Sequence, residues 1–388
     1  MLQDAYRRRT RVFYVVLIVT TISVGFHLVK STVRVPPPKP TLKGAPRSPP
    51  TVKGAPRPPP TVKGAPRPPP TVKGAPRPPP TLKGAPRPPP RPPTTRVAAK
   101  PTPLKCRDIG ALLADPNLPP VIRSKYHSDV KVMLTENTKT LDPKIGNWWR
   151  HLQPFKSDRD FTELANDLFT VIPGADPFLP SISCRRCAVV GTAGNLRGAG
   201  HGKEIDSFDA VIRMNSAPIK GYENDVGTKT TYHLVYPESA LSYGGEGKLV
   251  LFPFKVLDIE WLRSVFSTHH ISRGWTRVPT HVNTDASNGM VIHPEFIHYV
   301  SKTWFEGKGR WTSAGGLALI WALHVCNEVD VFGFGRNKYG NWDHYYDKRE
   351  RTGVDPFRRT HVHDADIEEN VRTALNESKI IRFHPGNP

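Results

Sequence analysis

The chain has 388 residues, of which 55 are Lys or Arg and 34 are Asp or Glu, giving a formal net charge of +21. Residues 1–105 hold 21 of these basic residues and one acidic residue, Asp4, so residues 106–388 carry 34 basic against 33 acidic residues. A nearly neutral globular part argues against a nucleic-acid-binding protein. The length, the composition and the four cysteines also exclude a small disulfide scaffold, a wholly disordered chain and a protein with many membrane spans.

The first predicted element is an apolar segment at residues 12–29, which contains no Asp, Glu, Lys or Arg. Its length reaches the lower limit for a membrane-spanning helix. Four arginines between residues 7 and 11 precede it, so residues 1–11 are predicted to be a cytosolic tail and the rest of the chain to be lumenal. A cleaved signal peptide with small residues at 23–25 is the alternative, but the long apolar stretch favours an uncleaved signal-anchor. The short span predicts a type II protein of early secretory membranes, in the Golgi.

A proline-rich stem is predicted at residues 30–105. A ten-residue pattern, T-[VL]-K-G-A-P-R-x-P-P, starts at Thr41 and recurs up to Thr81, and 27 of the 43 prolines lie between Pro36 and Pro103. Such a sequence favours polyproline II and has no apolar face to bury. Binding to cytosolic proline-recognition domains is the alternative, which the predicted lumenal side disfavours. The stem is therefore interpreted as a spacer for a catalytic domain at residues 106–388.

All four cysteines, Cys106, Cys184, Cys187 and Cys326, lie in this last part of the chain. An even number of cysteines in a lumenal domain predicts structural disulfides, and the spacing alone leaves all three pairings open. Cys184 and Cys187 also match the CxxC spacing of zinc and redox sites, but no second ligand pair accompanies them. Asn376 begins an N-E-S tripeptide, which is a candidate N-glycosylation site.

Alternating strands and helices are predicted along the globular part. A helical entry region precedes a short apolar run at 188–190, which leads into a glycine-rich turn at 191–200. The remaining predicted elements are strands at 209–213, 232–235, 249–252 and 329–332, helices at 107–113, 161–169 and 313–324, and a turn at 333–335.

This alternation predicts an α/β fold: one Rossmann-like domain with a mostly parallel sheet covered by helices on both faces. Ligands of such sheets bind at the carboxyl ends of the strands, where Asn195, Asn215 and the turn at 333–335 are expected. The glycine spacing does not match the GxGxxG fingerprint, and no GxxxxGK[ST] loop occurs. Dinucleotide binding and a phosphate loop of that type are therefore not supported.

Four motifs in order resemble a known family, the animal sialyltransferases. Residues 187–217 with D-V-G-T-K-T-T at 225–231 resemble the long nucleotide-binding sialylmotif, and residues 310–335 resemble the short one. H-Y-Y-D at 344–347 resembles the third motif, and 363–368 fits the H-x4-E pattern of the last. The residues of the motifs, such as H-L-V-Y-P-E-S at 233–239, are most similar to those of the β-galactoside α-2,3-sialyltransferases that act on Gal-β1,3-GalNAc.

The resemblance implies a glycosyltransferase A-like variant of the fold and inverting transfer of sialic acid from CMP-sialic acid to galactose, with no metal or other cofactor. It implies a disulfide between Cys187 and Cys326, which leaves Cys106 and Cys184 as the other pair. His363 is implied as the general base and His344 as the partner of the donor phosphate, roles that suit an imidazole with a reference pKa near 6.5. The implied donor contacts are Asn195, Asn215, Ser313, Gly315 and Gly335.

The sequence departs from the family pattern at four positions. Thr192 and Ala314 replace a side-chain amide and a hydroxyl, while Trp275 and Trp311 stand where a phosphate-facing tyrosine is common. Each tryptophan keeps the ring and offers an indole N–H to the donor in place of the phenol. These changes predict a weakened or retuned enzyme.

Two other functions remain open. Asp364 and Asp366 match the DxD of metal-dependent transferases that use nucleotide diphosphate sugars, although Asp at a helix start more often caps the helix. The second alternative is a CMP-binding protein that has lost turnover, which the four departures motivate.

Overall fold

The computed structural model describes residues 109–113, 115–153, 157–175, 184–271, 277–337, 339–347 and 362–387. The predicted anchor and stem lie outside these ranges, as do Cys106 and Trp275. Among the described helices, none has both the length and the apolar character that crossing a bilayer requires.

A seven-stranded sheet forms the centre of the described domain, and neighbouring strands run parallel throughout. The order across the sheet is β5-β4-β3-β2-β1-β6-β7. In chain order the strands are β1 (Arg186–Val190), β2 (Ala210–Met214), β3 (Tyr232–Val235), β4 (Lys248–Leu251), β5 (Gly289–Val291), β6 (Glu328–Phe332) and β7 (Arg382–His384).

Ten α-helices are described, several of which begin at a capping side chain. Asp142, Asp160, Ser313 and Asp364 each accept backbone N–H groups of the helix that follows. The α-helices are α1 (Ile109–Leu113), α2 (Pro120–Arg123), α3 (Pro143–Leu152), α4 (Phe161–Phe169), α5 (Gly202–Asp206), α6 (Glu223–Val226), α7 (Val256–Val265), α8 (Pro294–Tyr299), α9 (Ala314–Val325) and α10 (Ala365–Glu377). Shorter 3₁₀ turns span Glu136–Thr138, Gly194–Leu196, Ser239–Ser242 and Ala286–Asn288, and a π turn spans Val300–Trp304.

Apolar side chains are buried on both faces of the sheet. In β1, Cys187 and Val189 belong to one apolar cluster, whereas Ala188 and Val190 belong to another. This alternation follows from the two-residue period of a strand. Helix α9 is apolar on nearly all sides and packs on the first face, and α4 and α7 pack on the opposite face. The predicted α/β architecture is therefore confirmed.

One disulfide connects the two large motifs. Cys187 at the start of β1 is bonded to Cys326 directly after α9, with Cα atoms 6.1 Å apart and 139 residues between them in sequence. This pairing confirms the one implied by the family resemblance and excludes a bond between Cys184 and Cys187. Cys184 is also disulfide-bonded, while its expected partner lies outside the described residues. Closing a loop of this length stabilises the fold by roughly 3–5 kcal/mol in the chain-entropy estimate.

The strand order reverses between β1 and β6, which opens a crevice at their carboxyl ends. Gly191 follows β1, and its N–H donates to the Phe332 carbonyl at 2.8 Å. A Cβ on Gly191 would collide with the Gly333 carbonyl, so glycine is required where the two strands leave the sheet. The ligand crevice of this fold class thus lies between the long and the short motif.

Candidate active site

Asn195 lies in the 3₁₀ turn directly after β1, at the mouth of this crevice. Its Nδ2 donates to the Phe334 carbonyl at 2.8 Å, which fixes the orientation of the amide. Its Oδ1 is buried and has no hydrogen-bond partner among the described residues. Since a buried amide oxygen without a partner is costly, this atom is suited to accept a hydrogen bond from a ligand.

Three of the predicted donor contacts surround one aromatic residue, Phe334. Gly315 lies so near that an added Cβ would be 3.2 Å from the Phe334 ring. Gly335 has a φ of +95°, and an added Cβ there would lie 3.9 Å from Nδ2 of Asn195. The structure therefore brings Asn195, Gly315 and Gly335 together around Phe334, a residue that no motif singled out.

Ser313 is held by Glu368, the last residue of the H-x4-E pattern. The Ser313 N–H donates to Glu368 Oε1 at 2.9 Å, and the Ser313 hydroxyl donates to Oε2. The same hydroxyl oxygen accepts the Gly316 N–H at 3.0 Å and so caps α9. Burial raises the pKa of Glu368 to about 7, against the lowering effect of the Ser313 hydrogen bonds. The N-terminus of the twelve-residue helix α9 thereby stands at the site, where helix N-termini favour phosphate.

His363 is positioned by a hydrogen bond to a main-chain carbonyl and by the aromatic ring beside it. Its Nδ1 lies 2.8 Å from the Trp311 carbonyl, which accepts only, so Nδ1 carries the proton and Nε2 the lone pair. Burial lowers the pKa of His363 to about 4, although the bond to Trp311 works in the opposite direction. The imidazole is therefore neutral over the physiological pH range and has the protonation state of a general base.

Trp311 forms the wall beside this histidine. The rings of Trp311 and His363 meet edge to face with centroids 6.4 Å apart, and the Phe254 ring is tilted against the indole, also at a centroid distance of 6.4 Å. The predicted contact of Trp311 with the donor stays a prediction, as does that of Trp275, which lies outside the described residues.

His344 has the opposite environment, since its side chain is 47% exposed. The main-chain N–H of His344 donates to Asp347 Oδ2 at 3.0 Å, and the ring Nδ1 lies 3.4 Å from the same oxygen. The ring stacks on Tyr346 at a centroid distance of 4.9 Å. A main-chain bridge to Ala193 and a hydrogen bond from Arg197 to the His344 carbonyl attach this segment to the loop after β1.

Asn215 follows β2, one strand away from Asn195 in the sheet. It has a φ of +52°, in the left-handed region that asparagine tolerates better than most residues. Its carbonyl lies 2.7 Å from Nε2 of His233, and its Oδ1 is buried without a partner among the described residues. Asn215 and Asn195 thus share the same feature at the same edge of the sheet.

The D-V-G-T-K-T-T part of the long motif has a structural role. Arg213 is fully buried in β2, and its guanidinium donates to the Val226 carbonyl at 2.7 Å. Asp206 accepts the Thr228 N–H at 2.8 Å and also the Thr228 hydroxyl. These bonds fix the segment that leads into β3, and with it the position of the sheet edge.

The DxD residues are engaged in other interactions. Asp364 caps α10, accepting the Ile367 N–H at 3.1 Å, and Asp366 pairs with Arg336 at 2.9 Å. The capping interpretation is confirmed for Asp364. Farther along the same helix, Asn376 Oδ1 accepts the Phe383 N–H at 2.9 Å, and its glycosylation stays a prediction.

Comparison with known proteins agrees with this geometry. The model of glycosyltransferase family 29 (sialyltransferase) matches residues 132–380. Human CMP-N-acetylneuraminate-beta-galactosamide-alpha-2,3-sialyltransferase 1 is 43% identical over 265 residues, which are 68% of this chain and 77% of the human protein. Rat CMP-N-acetylneuraminate-beta-galactosamide-alpha-2,3-sialyltransferase 2 is 41% identical over 266 residues, which are 68% of this chain and 75% of the rat protein.

A crystal structure of a mammalian sialyltransferase in complex with Gal-beta-1-3GalNAc-ortho-nitrophenol is similar with a TM-score of 0.65 and 38% sequence identity. The match covers 72% of this chain and 99% of that one. The sequence motifs, the crevice they line and these matches agree, and the chain belongs to glycosyltransferase family 29, the sialyltransferases.

Proposed function

We propose that this protein transfers sialic acid from CMP-sialic acid to the 3-hydroxyl of a terminal galactose, with Gal-β1,3-GalNAc as the acceptor and inversion at the anomeric carbon. The proposal rests on the half-buried, neutral His363, whose Nδ1 lies 2.8 Å from the Trp311 carbonyl so that Nε2 carries the lone pair. The names of the human and rat relatives, and the acceptor bound in the related crystal structure, support the linkage and the acceptor.

Donor binding is assigned to the edge of the sheet. The partnerless Oδ1 atoms of Asn195 and Asn215 accept hydrogen bonds from the nucleotide, which relieves the cost of burying them. Gly315 and Gly335 leave room for a ligand close to the main chain. The N-terminus of α9, capped by Ser313, is directed to the phosphate.

The chemical step needs one base and one group that stabilises the leaving phosphate. The acceptor oxygen attacks the anomeric carbon and forms the new glycosidic bond, while its proton moves to Nε2 of His363. On the opposite face the bond from the anomeric carbon to the phosphate oxygen breaks, and its electron pair leaves with CMP. A protonated His344 donates a charge-assisted hydrogen bond to that phosphate.

We expect this transfer to proceed without a metal. CMP is a monophosphate leaving group with less charge to neutralise than a diphosphate, and the sialic acid carboxylate stabilises positive charge at the neighbouring anomeric carbon. The occupation of Asp364 by helix capping and of Asp366 by Arg336 also leaves the DxD pair unsuited to a metal-dependent mechanism.

We further propose that residues 12–29 anchor the enzyme in the Golgi membrane with the catalytic domain in the lumen, and that residues 30–105 are a spacer. The apolar segment, the arginines before it and the proline repeat support this arrangement.

The test is to incubate the purified full chain with CMP-sialic acid and a panel of acceptors in excess chelator, and to determine the linkage of each product. We expect α-2,3-linked product, highest on Gal-β1,3-GalNAc and unaffected by the chelator. Activity that depends on added Mn²⁺ would favour the metal-dependent alternative. Measurable CMP affinity with no product on any acceptor would favour the binding protein without turnover.

A further inference from the structure

Two histidines and a glutamate, none of them among the proposed donor-binding or catalytic residues, meet where the long motif approaches the C-terminal strand. His201 precedes α5 and Glu204 lies three residues later on the same side of that helix, while His384 ends β7. His201 Nδ1 is 3.1 Å from Glu204 Oε2, and His384 Nδ1 is 3.4 Å from Glu204 Oε1. One ligand atom from each residue lies within 4.8 Å of the other two.

The far side of each imidazole faces a hydrogen-bond acceptor. His384 Nε2 lies 2.7 Å from Asp330 Oδ1, and His201 Nε2 lies 3.4 Å from the Pro385 carbonyl. Asp330 Oδ2 also pairs with the Arg382 guanidinium at 2.8 Å, so both of its oxygens accept hydrogen bonds. Because carboxylates and carbonyls only accept, both Nε2 atoms carry protons.

The two Nδ1 atoms both face the Glu204 carboxylate. In the neutral form of each ring, Nδ1 then carries a lone pair, and both lone pairs are directed at the Glu204 carboxylate. Three electron-rich groups converge, and they repel one another unless a cation lies between them. Two imidazoles and one carboxylate are a common ligand set for zinc, and a carboxylate behind a ligating histidine is a common outer partner.

We propose that His201, Glu204 and His384 form a binding site for a divalent transition-metal ion of the Zn²⁺ class, with water completing the coordination. The site is separate from the transfer chemistry and does not depend on the proposed function. The family resemblance implied no metal, so this proposed metal site departs from the sequence-based expectation.

The position of the cluster indicates what a bound ion does. His201 and Glu204 belong to the segment that follows the Asn195 turn, and His384 belongs to the C-terminal strand. Beyond that strand, the Asn387 N–H donates to the Asn195 carbonyl at 2.6 Å. A metal bridge therefore fixes the C-terminal segment against the loop that carries Asn195.

The test is a calorimetric titration of the purified, metal-stripped full chain with Zn²⁺ at pH 7.5, where free histidine is largely neutral. We expect one equivalent to bind with a dissociation constant in the micromolar range or below. Glu204→Gln and His201→Ala should each weaken binding at least tenfold. Glu204 is exposed and the His201 side chain makes no capping hydrogen bond to α5, so both variants are expected to fold.

The matched control is His281→Ala, because His281 stacks on His269 at 4.0 Å and forms another close histidine pair among the described residues. Zn²⁺ affinity should be unchanged in this variant. A second measurement is hydrogen exchange of residues 382–387, which Zn²⁺ should slow in the wild type and not in Glu204→Gln.

Absence of Zn²⁺ binding would overturn the proposal and would mean that protons alone occupy the two Nδ1 atoms. Binding that survives both Glu204→Gln and His201→Ala, or that is lost in His281→Ala, would overturn it as well.

Discussion

The segments around His344 and His363 carry the same side chain in opposite surroundings. His344 is 47% exposed, and its ring Nδ1 lies 3.4 Å from the carboxylate of Asp347. His363 lies against Trp311, and burial lowers its pKa to about 4. The two histidines thus differ in their surroundings and not in residue type, and the proposed mechanism gives them different roles for that reason.

The two segments also differ in what supports them. His344 is held through its main chain, by the bridge to Ala193 and the hydrogen bond from Arg197, so its ring remains accessible to a ligand. His363 directly precedes the cap of α10, and that helix is tied to α9 through Glu368 and Ser313. We therefore expect substitutions near His363 to affect folding and chemistry together, and those near His344 to affect mainly the ligand.

The largest effect is expected for His363→Ala. Removing the base should lower kcat by about 10²–10⁴, because positioned proton transfer typically contributes that factor. The affinity for CMP should stay close to that of the wild type, as measured by calorimetry. Full turnover in this variant would remove His363 from the mechanism.

A smaller effect is expected for Glu368→Gln, which removes the carboxylate that accepts two hydrogen bonds from Ser313. The free energy of unfolding should fall by about 1–3 kcal/mol, because the amide NH₂ group faces one of the two Ser313 donors and leaves it without an acceptor. The free energy change is measured by thermal unfolding, with Glu369→Gln as the control. Glu369 pairs with Arg336 near the surface, so losing this ion pair should cost at most about 1 kcal/mol. Equal effects of both substitutions would contradict the supporting role of Glu368.

On the donor side, Asn195→Ala should weaken CMP binding by about 2- to 10-fold, which corresponds to the loss of one ordinary hydrogen bond. Asn215→Gly should have an effect of similar size, and glycine avoids adding strain at the positive φ of this position. Unchanged calorimetric affinity in both variants would show that the partnerless amide oxygens do not face the nucleotide.

A separate effect, measured on folding and not on ligand binding, concerns the pH dependence of stability. The folded-state pKa of His363, about 4, lies below the unfolded value near 6.5, so the unfolded chain binds more protons between these pH values. The wild type should therefore lose stability relative to His363→Gln as the pH falls from 6.5 to 4, by up to about 1.4 kcal/mol per pH unit. Parallel stability curves from chemical denaturation would show that His363 is not buried as a neutral ring.

The predicted fold agrees with the structure where the sequence signal is local. The predicted strand at 232–235 matches β3, and the predicted runs at 188–190, 209–213, 249–252 and 329–332 are central strands whose ends differ by one or two residues. The three-residue strands β5 and β7 were not predicted, because their ends are set by pairing with β4 and β6 and not by a run of apolar residues. Helix α7 was missed for a related reason, since its buried face includes the ionic pair of Lys255 and Asp258.

The site was predicted through the motifs, which named the two histidines and the donor-facing residues but not their partners. Glu368 was noticed as part of a pattern, although its contact with Ser313, 55 residues away, depends on how α9 and α10 pack. Phe334 resembled any aromatic residue in a turn. The cluster of His201, Glu204 and His384 joins positions about 180 residues apart, and no spacing rule relates such positions before the strand order is known.

The most direct test of this division of roles is the affinity for CMP of His344→Ala and His363→Ala, measured side by side by calorimetry on the full chain. We expect His344→Ala to weaken CMP binding by about 10- to 100-fold, because it removes a charge-assisted hydrogen bond. His363→Ala should bind CMP like the wild type. Strong loss of CMP affinity in His363→Ala with none in His344→Ala would contradict it.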